Sequence, residues 1–153
     1  AYEISWCDWS SDVCSSDLHA VHQSACAVGR LLWRRVKQFA ILLAVSPDQG
    51  TLPLRAVETI KTALSKGHAV FCFLYEDGVL FANEHRDIPQ GETDPAHQIQ
   101  QLANLEHCEI VACITAAERR GISESNRFTG IRLCGLGEWT EQLQAADRVI
   151  QFR

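Results

Sequence analysis

From Phe39 onward, unbroken apolar runs alternate with segments whose apolar residues are spaced for a helix. Phe39-Ala-Ile-Leu-Leu-Ala-Val45 is the first run. Runs of that length mark strands covered on both faces, as in a parallel sheet. A polar loop, Ser46 to Gly50, follows. Leu54, Val57, Ile60, Ala63 and Leu64 then recur at helical spacing up to Ser65. Lys66-Gly67 predicts the helix end, a basic last turn before a C-cap glycine. Ala69 to Tyr75 predicts a second buried strand, and Glu76-Asp77-Gly78 a turn. Val79 to Asn83 is a short apolar piece that the pattern assigns to neither class.

His85 to Gly91 reads as a polar loop. Asp94-Pro95 supplies an N-cap and a proline at the first helical position. The helix it starts is predicted to reach about Leu105 and to bury Ile99, Leu102 and Leu105. Glu109 to Ile114 is the third strand, and Thr115 to Arg120 a short helix stopped by Gly121. Ile131 to Leu136 is the fourth strand, Glu138 to Ala146 a helix, and Arg148 to Phe152 the fifth strand. This alternation predicts an α/β fold: a single layered domain over 38–153, with a mostly parallel, about five-stranded sheet flanked by helices in flavodoxin-like layering. The chain has no internal repeats and no low-complexity linker.

Composition narrows the function. The 153 residues are 46% hydrophobic and 22% charged, enough for one domain with a real core. The net charge is −5 and no basic stripe is visible, which speaks against direct nucleic-acid binding. No apolar run approaches the roughly 20 residues of a membrane helix. Seven cysteines, an odd count without Cys-x-x-Cys pairs, fit reduced thiols in a cytoplasmic protein better than a disulfide scaffold. The histidines show no metal-pair spacing, so no metal site is expected. Ser46 to Thr51 has one glycine and no lysine. A phosphate loop, and with it a flavodoxin-like nucleotide-binding module, has little support. Cys72 and Cys108 read as core, and Trp139 as a packing residue.

The segment before Phe39 stands apart. Asp8 to Leu18 looks like the in-frame translation of a sequencing-library adapter, and the chain contains no methionine. Residues 1–37 are therefore expected to be a non-native or disordered extension, with residues 1–18 dispensable and Val36 the candidate native start. The segment holds four Lys or Arg and four Asp or Glu, so setting it aside leaves the acidic balance unchanged.

The candidate chemistry lies at Cys113. In an open parallel sheet, reactive groups gather at the carboxyl ends of the strands, where Cys113 falls. The helix predicted directly after it would bring free backbone N–H groups and a positive dipole end near the sulfur, favouring the thiolate. Arg119 and Arg120 add nearby positive charge, and Glu118 opposes it. On position alone a strand-end cysteine is more often core than nucleophile.

The segment Ile110-Val-Ala-Cys113-Ile-Thr-Ala-Ala-Glu-Arg119-Arg120-Gly121 resembles the active-cysteine segment of the DsrE/TusD sulfurtransferases. Four further stretches agree in order: the opening Phe39-Ala-Ile-Leu-Leu; Lys66-Gly67-His68 leading into Phe73 to Val79; Leu133-Cys134-Gly-Leu-Gly137; and Ala146 to Phe152. The resemblance implies a sulfur-relay protein in which Cys113 is the catalytic residue. It would accept sulfane sulfur as a persulfide from a small donor protein and pass it to an acceptor protein. TusD-type relatives serve 2-thiouridine formation in transfer RNA, and DsrE-type relatives serve sulfur oxidation. It also implies a hetero-hexamer with paralogous subunits and no metal or organic cofactor.

Two departures stand out. The stretch from Gly121 to Ile131 is shorter than the family's, which opens the alternative of a non-catalytic subunit. Cys134 stands where the family has serine, either as a relay or resolving thiol or as a small space-filling residue. Cys134, Arg119 and Arg120 are accessory candidates.

Overall fold

All five predicted apolar runs form strands: β1 (Gln38–Leu43), β2 (Ala69–Leu74), β3 (Cys108–Cys113), β4 (Arg132–Cys134) and β5 (Arg148–Phe152). Four α-helices connect them: α1 (Leu52–Ser65), α2 (Pro95–Leu102), α3 (Ile114–Arg119) and α4 (Leu136–Ala145). This computed structural model describes residues 36–153. The expectations for residues 1–35 lie outside the described residues.

The strands form one sheet in the order β4-β3-β2-β1-β5, and every pairing is parallel. β1, β2 and β3 are the inner strands. Nearly all their residues are buried, which is why they lack polar alternation. β5 lies at an edge and is more exposed.

Register and pleat together fix which side chains share a face. Phe71 is paired with Ala40 and Glu109, Phe73 with Leu42 and Val111, Val111 with Arg132, and Cys113 with Cys134. These residues therefore line one face. α4 covers it through Trp139, whose ring lies 5.4 Å from Phe73 and 6.4 Å from Phe71. The expected packing role of Trp139 is the observed one. Cys72 and Cys108 point to the opposite face. There α1 packs, burying Val57, Ile60 and Ala63.

Several boundaries follow the predicted punctuation. Asp94 caps α2, its carboxylate accepting a hydrogen bond from the Ala96 amide at 2.9 Å. Gly67 ends the α1 turn at φ +73°, a left-handed conformation that glycine adopts without strain.

Others differ. α2 stops at Leu102, and Leu105 is 50% exposed instead of buried. The chain there turns into β3 through His107, at φ +63°. β4 ends at Cys134, and Leu136 already belongs to α4. Ile114 likewise opens α3 instead of closing β3. In both places the apolar run continues past the sheet edge, where no neighbouring strand remains to pair with, so the backbone turns helical.

The expected turn at Glu76 to Gly78 and most of the unassigned piece after it form one 3₁₀ helix, Glu76–Ala82, with Val79, Phe81 and Ala82 fully buried. It begins with a close backbone approach. An added Cβ at Gly78 would lie 1.9 Å from the Leu43 carbonyl oxygen, so only glycine fits.

Candidate functional site at the carboxyl edge of the sheet

Cys113 is the last residue of β3 and the N-cap residue of α3, with extended backbone at φ −61° and ψ 117°. The strand-then-helix arrangement expected around it is present. Its side chain is only 2% exposed, less open than the expected reactive setting. Cys134 ends β4 directly opposite and is 8% exposed. All four cysteines of the described residues are free thiols.

The arginines divide. Arg120 is drawn from α3 to Asp77, its Nε and Nη2 donating to Oδ1 at 2.9 and 2.7 Å, and its Nη1 donates to the Ala116 carbonyl. It therefore ties α3 to the 3₁₀ helix, and Asp77 neutralises its charge. Arg119 is exposed and forms no ion pair among the described residues. The short stretch after α3 is also pinned. Asn126 donates to the Gly121 carbonyl at 2.8 Å, and Phe128 N–H donates to Ala82 O at 2.7 Å.

Two residues that the sequence reading left out reach Cys134. Arg132 lies two positions before it on the same strand face and pairs with Glu109 of β3 and Glu138 of α4. Glu138 sits in the first turn of α4, where its carboxylate acts on the Cys134 thiol and raises its pKa. The two-residue strand period linking Arg132 to Cys134 is legible in the sequence. The approach of Glu138 depends on how α4 crosses the sheet.

Burial, reinforced by Glu138, pushes the Cys134 thiol up to about 11. Burial alone pushes Cys108 to about 11, and burial together with the neighbouring Cys108 raises Cys72. Folded-state values above the unfolded one make these thiols favour folding while protonated. The contribution is complete below the unfolded thiol value and is lost as pH rises through the folded one. Stability is therefore expected to fall between about pH 9 and about pH 11, by up to ~1.4 kcal/mol per pH unit for each thiol. Urea unfolding midpoints across that range measure this, and a flat profile would contradict it.

Neither Cys113 nor Cys134 lines the groove of about 620 Å³ that Phe39, Arg55, Lys66, His68 and Phe152 border. The two strand-end thiols are therefore separate from that groove. Such a molecule is an α/β domain of the open parallel-sheet class with two adjacent thiols at its carboxyl edge.

Comparison with known proteins gives that class a family. The DsrE/DsrF-like family matches residues 37–152. Sulfurtransferase TusD of Pectobacterium atrosepticum is 34% identical over 124 residues, spanning 72% of this chain and 96% of the relative. The DsrE protein of Allochromatium vinosum is 31% identical over 127 residues, spanning 75% of this chain and 98% of the relative. Among solved structures, the YchN protein of E. coli superposes with a TM-score of 0.69 at 18% identity, covering 76% of this chain and all of YchN. MTH1491 of Methanobacterium thermoautotrophicum, a protein of unknown function, gives 0.57 at 11% identity, covering 74% and 98%. These two likenesses concern the fold alone. The chain belongs to the DsrE/DsrF-like family and is a sulfurtransferase of the DsrE/TusD type.

Proposed function

We propose that this domain is a sulfur-relay subunit in which Cys113 accepts a sulfane sulfur as a persulfide and passes it to a partner protein. The observation that carries this reading is the position of Cys113, at the junction of β3 and α3 inside the family-matched segment. The Cys113 thiolate attacks the outer sulfur of a donor persulfide, and the donor thiolate leaves. One S–S bond breaks and one forms, so no metal or organic cofactor is required.

In this reading the sulfur goes to 2-thiouridine formation in transfer RNA in the cytoplasm, as the resemblance to TusD-type proteins implies. The partners are then a small sulfur-donor protein, a downstream acceptor protein and paralogous subunits in a hetero-hexamer. Direct contact with the nucleic acid is not part of this reading. The exposed Ile114, next to Cys113, and the exposed Arg119 at the other end of α3 suit a docking partner.

The 2% exposure of Cys113 favours a second reading, a non-catalytic subunit whose thiol is never reached. The similarity to the DsrE protein supports a third, sulfur oxidation in place of thiolation. Incubation of the reduced protein with a persulfide donor separates the first two. One reductant-removable sulfur atom on the peptide holding Cys113 is the expected result. Absence of that sulfur, with and without co-expressed paralogues, would favour the non-catalytic subunit. Neighbouring genes distinguish the two pathways, because dissimilatory sulfite-reductase genes beside it would indicate oxidation.

A further inference from the structure

Cys113 and Cys134 form the last opposed pair of the β3–β4 ladder, and their side chains share the face that α4 covers. Neighbouring strands run about 4.8 Å apart. That spacing falls inside the roughly 4.4–6.8 Å Cα separation that a disulfide spans. Cys72 and Cys108 lie on the other face, since their register partners are Ile41 and Ile110 for one and Val70 for the other. Cys134 is thus the thiol placed to react with Cys113, and it lies within the same buried edge that shields Cys113 from thiols in solution.

Resting on the persulfide reading of Cys113, we propose that Cys134 is its resolving thiol, able to discharge the carried sulfur as sulfide when no acceptor takes it. The Cys134 sulfur attacks the inner, Cys113 sulfur of the persulfide. The persulfide S–S bond breaks and a Cys113–Cys134 S–S bond forms. The outer sulfur leaves with the electron pair as hydrosulfide, and the Cys134 proton passes to solvent. The outer sulfur is reduced and Cys134 is oxidised, so no external oxidant is needed.

The surroundings of Cys134 keep this reaction slow at rest. The groups facing it are Cys113 from β3, Arg132 on its own strand and Glu138 from α4. Burial and the Glu138 carboxylate hold the thiol protonated against the opposing charge of Arg132, which pairs with Glu138. A thiol attacks only as thiolate. The persulfide therefore survives long enough for transfer, and discharge quickens when Cys134 ionises.

The test loads the reduced protein with inorganic polysulfide under anaerobic conditions, removes the reagent, and follows sulfide and unreduced peptides over time. Wild type is expected to release one sulfide per Cys113–Cys134 disulfide. The rate should rise about tenfold per pH unit below the thiol's pKa, following the thiolate fraction. Cys134→Ser and Cys134→Ala should hold sulfur on Cys113 and release sulfide at least about tenfold more slowly. Cys108→Ser should discharge as wild type does. If both Cys134 variants carry sulfur and wild type keeps its own just as long, the resolving role is overturned while the carrier reading stands. If no variant carries sulfur on Cys113, the carrier reading fails and this inference fails with it.

Discussion

Gly78→Ala is expected to cost this domain a large share of its stability. The added methyl would sit 1.9 Å from the Leu43 carbonyl oxygen and 2.8 Å from its carbonyl carbon. Both obstacles are backbone, so no side-chain rotation relieves them. That oxygen also accepts a hydrogen bond from Tyr75 N–H at 2.9 Å, which joins β1 to the start of the 3₁₀ helix. Relief requires β1 to separate from the 3₁₀ helix, disturbing the buried Val79 and Phe81 behind it. Overpacking costs about 1–3 kcal/mol where side chains can yield, and a lost hydrogen bond about 1 more. With backbone on both sides, a loss of about 3–5 kcal/mol is expected, against a total near 5–15 for domains of this kind. Urea unfolding measures it. Gly137→Ala is the control: the site is open and lies in α4, so that change should be neutral or stabilise by up to about 1 kcal/mol. Equal midpoints for the two variants would refute the steric account.

Cys113→Ser is expected to abolish sulfur loading while leaving the fold in place. Serine matches the size of cysteine, and the site is a strand end beside a helix start, where a hydroxyl finds backbone partners. The stability cost should stay within about 1–2 kcal/mol. Chemically the change is complete. The hydroxyl is far too weak an acid to supply an anion near neutral pH, and oxygen cannot hold a sulfane sulfur as a persulfide does. Transfer to an acceptor protein should drop to background. Circular dichroism and the urea midpoint should stay close to wild type, showing that the loss is chemical. A Cys113→Ser protein that loads normally would assign the sulfur to another thiol, with Cys134 the first to examine.

How far the sequence disclosed this molecule depends on how local each feature is. The buried strands were legible because parallel strands covered on both faces must be apolar throughout, and Asp94 and Gly67 carry their cap geometry in their own chemistry. The ends of β3 and β4 were less so. Ile114 and Leu136 extend apolar runs beyond the last ladder pair, and only the neighbouring strand determines where pairing stops. The 3₁₀ helix escaped assignment because its residues are buried by α2, α3 and β3, contacts distant in the chain. At the site, the position of Cys113 was readable as a strand end, but its near-complete burial was not. The pairing of Arg120 with Asp77 joins residues 43 positions apart. The nearness of Cys113 to Cys134 needed the β3–β4 register, which no local pattern supplies.

The sheet order has a consequence for how the chain is made. β1 to β4 lie side by side in the order of synthesis, each new strand adding to the one before it. β5 breaks that order and returns to the free edge of β1, pairing Phe39 with Arg148 across more than a hundred residues. Until β5 emerges from the ribosome, β1 is an uncovered apolar edge of the kind that recruits other chains. Closing it brings together distant parts of the chain, which makes it a slow step. A nascent chain stalled before β5 would thus already own both thiols of the carboxyl edge and still be open to aggregation at the far side. Chaperone capture should end only once β5 has paired with β1.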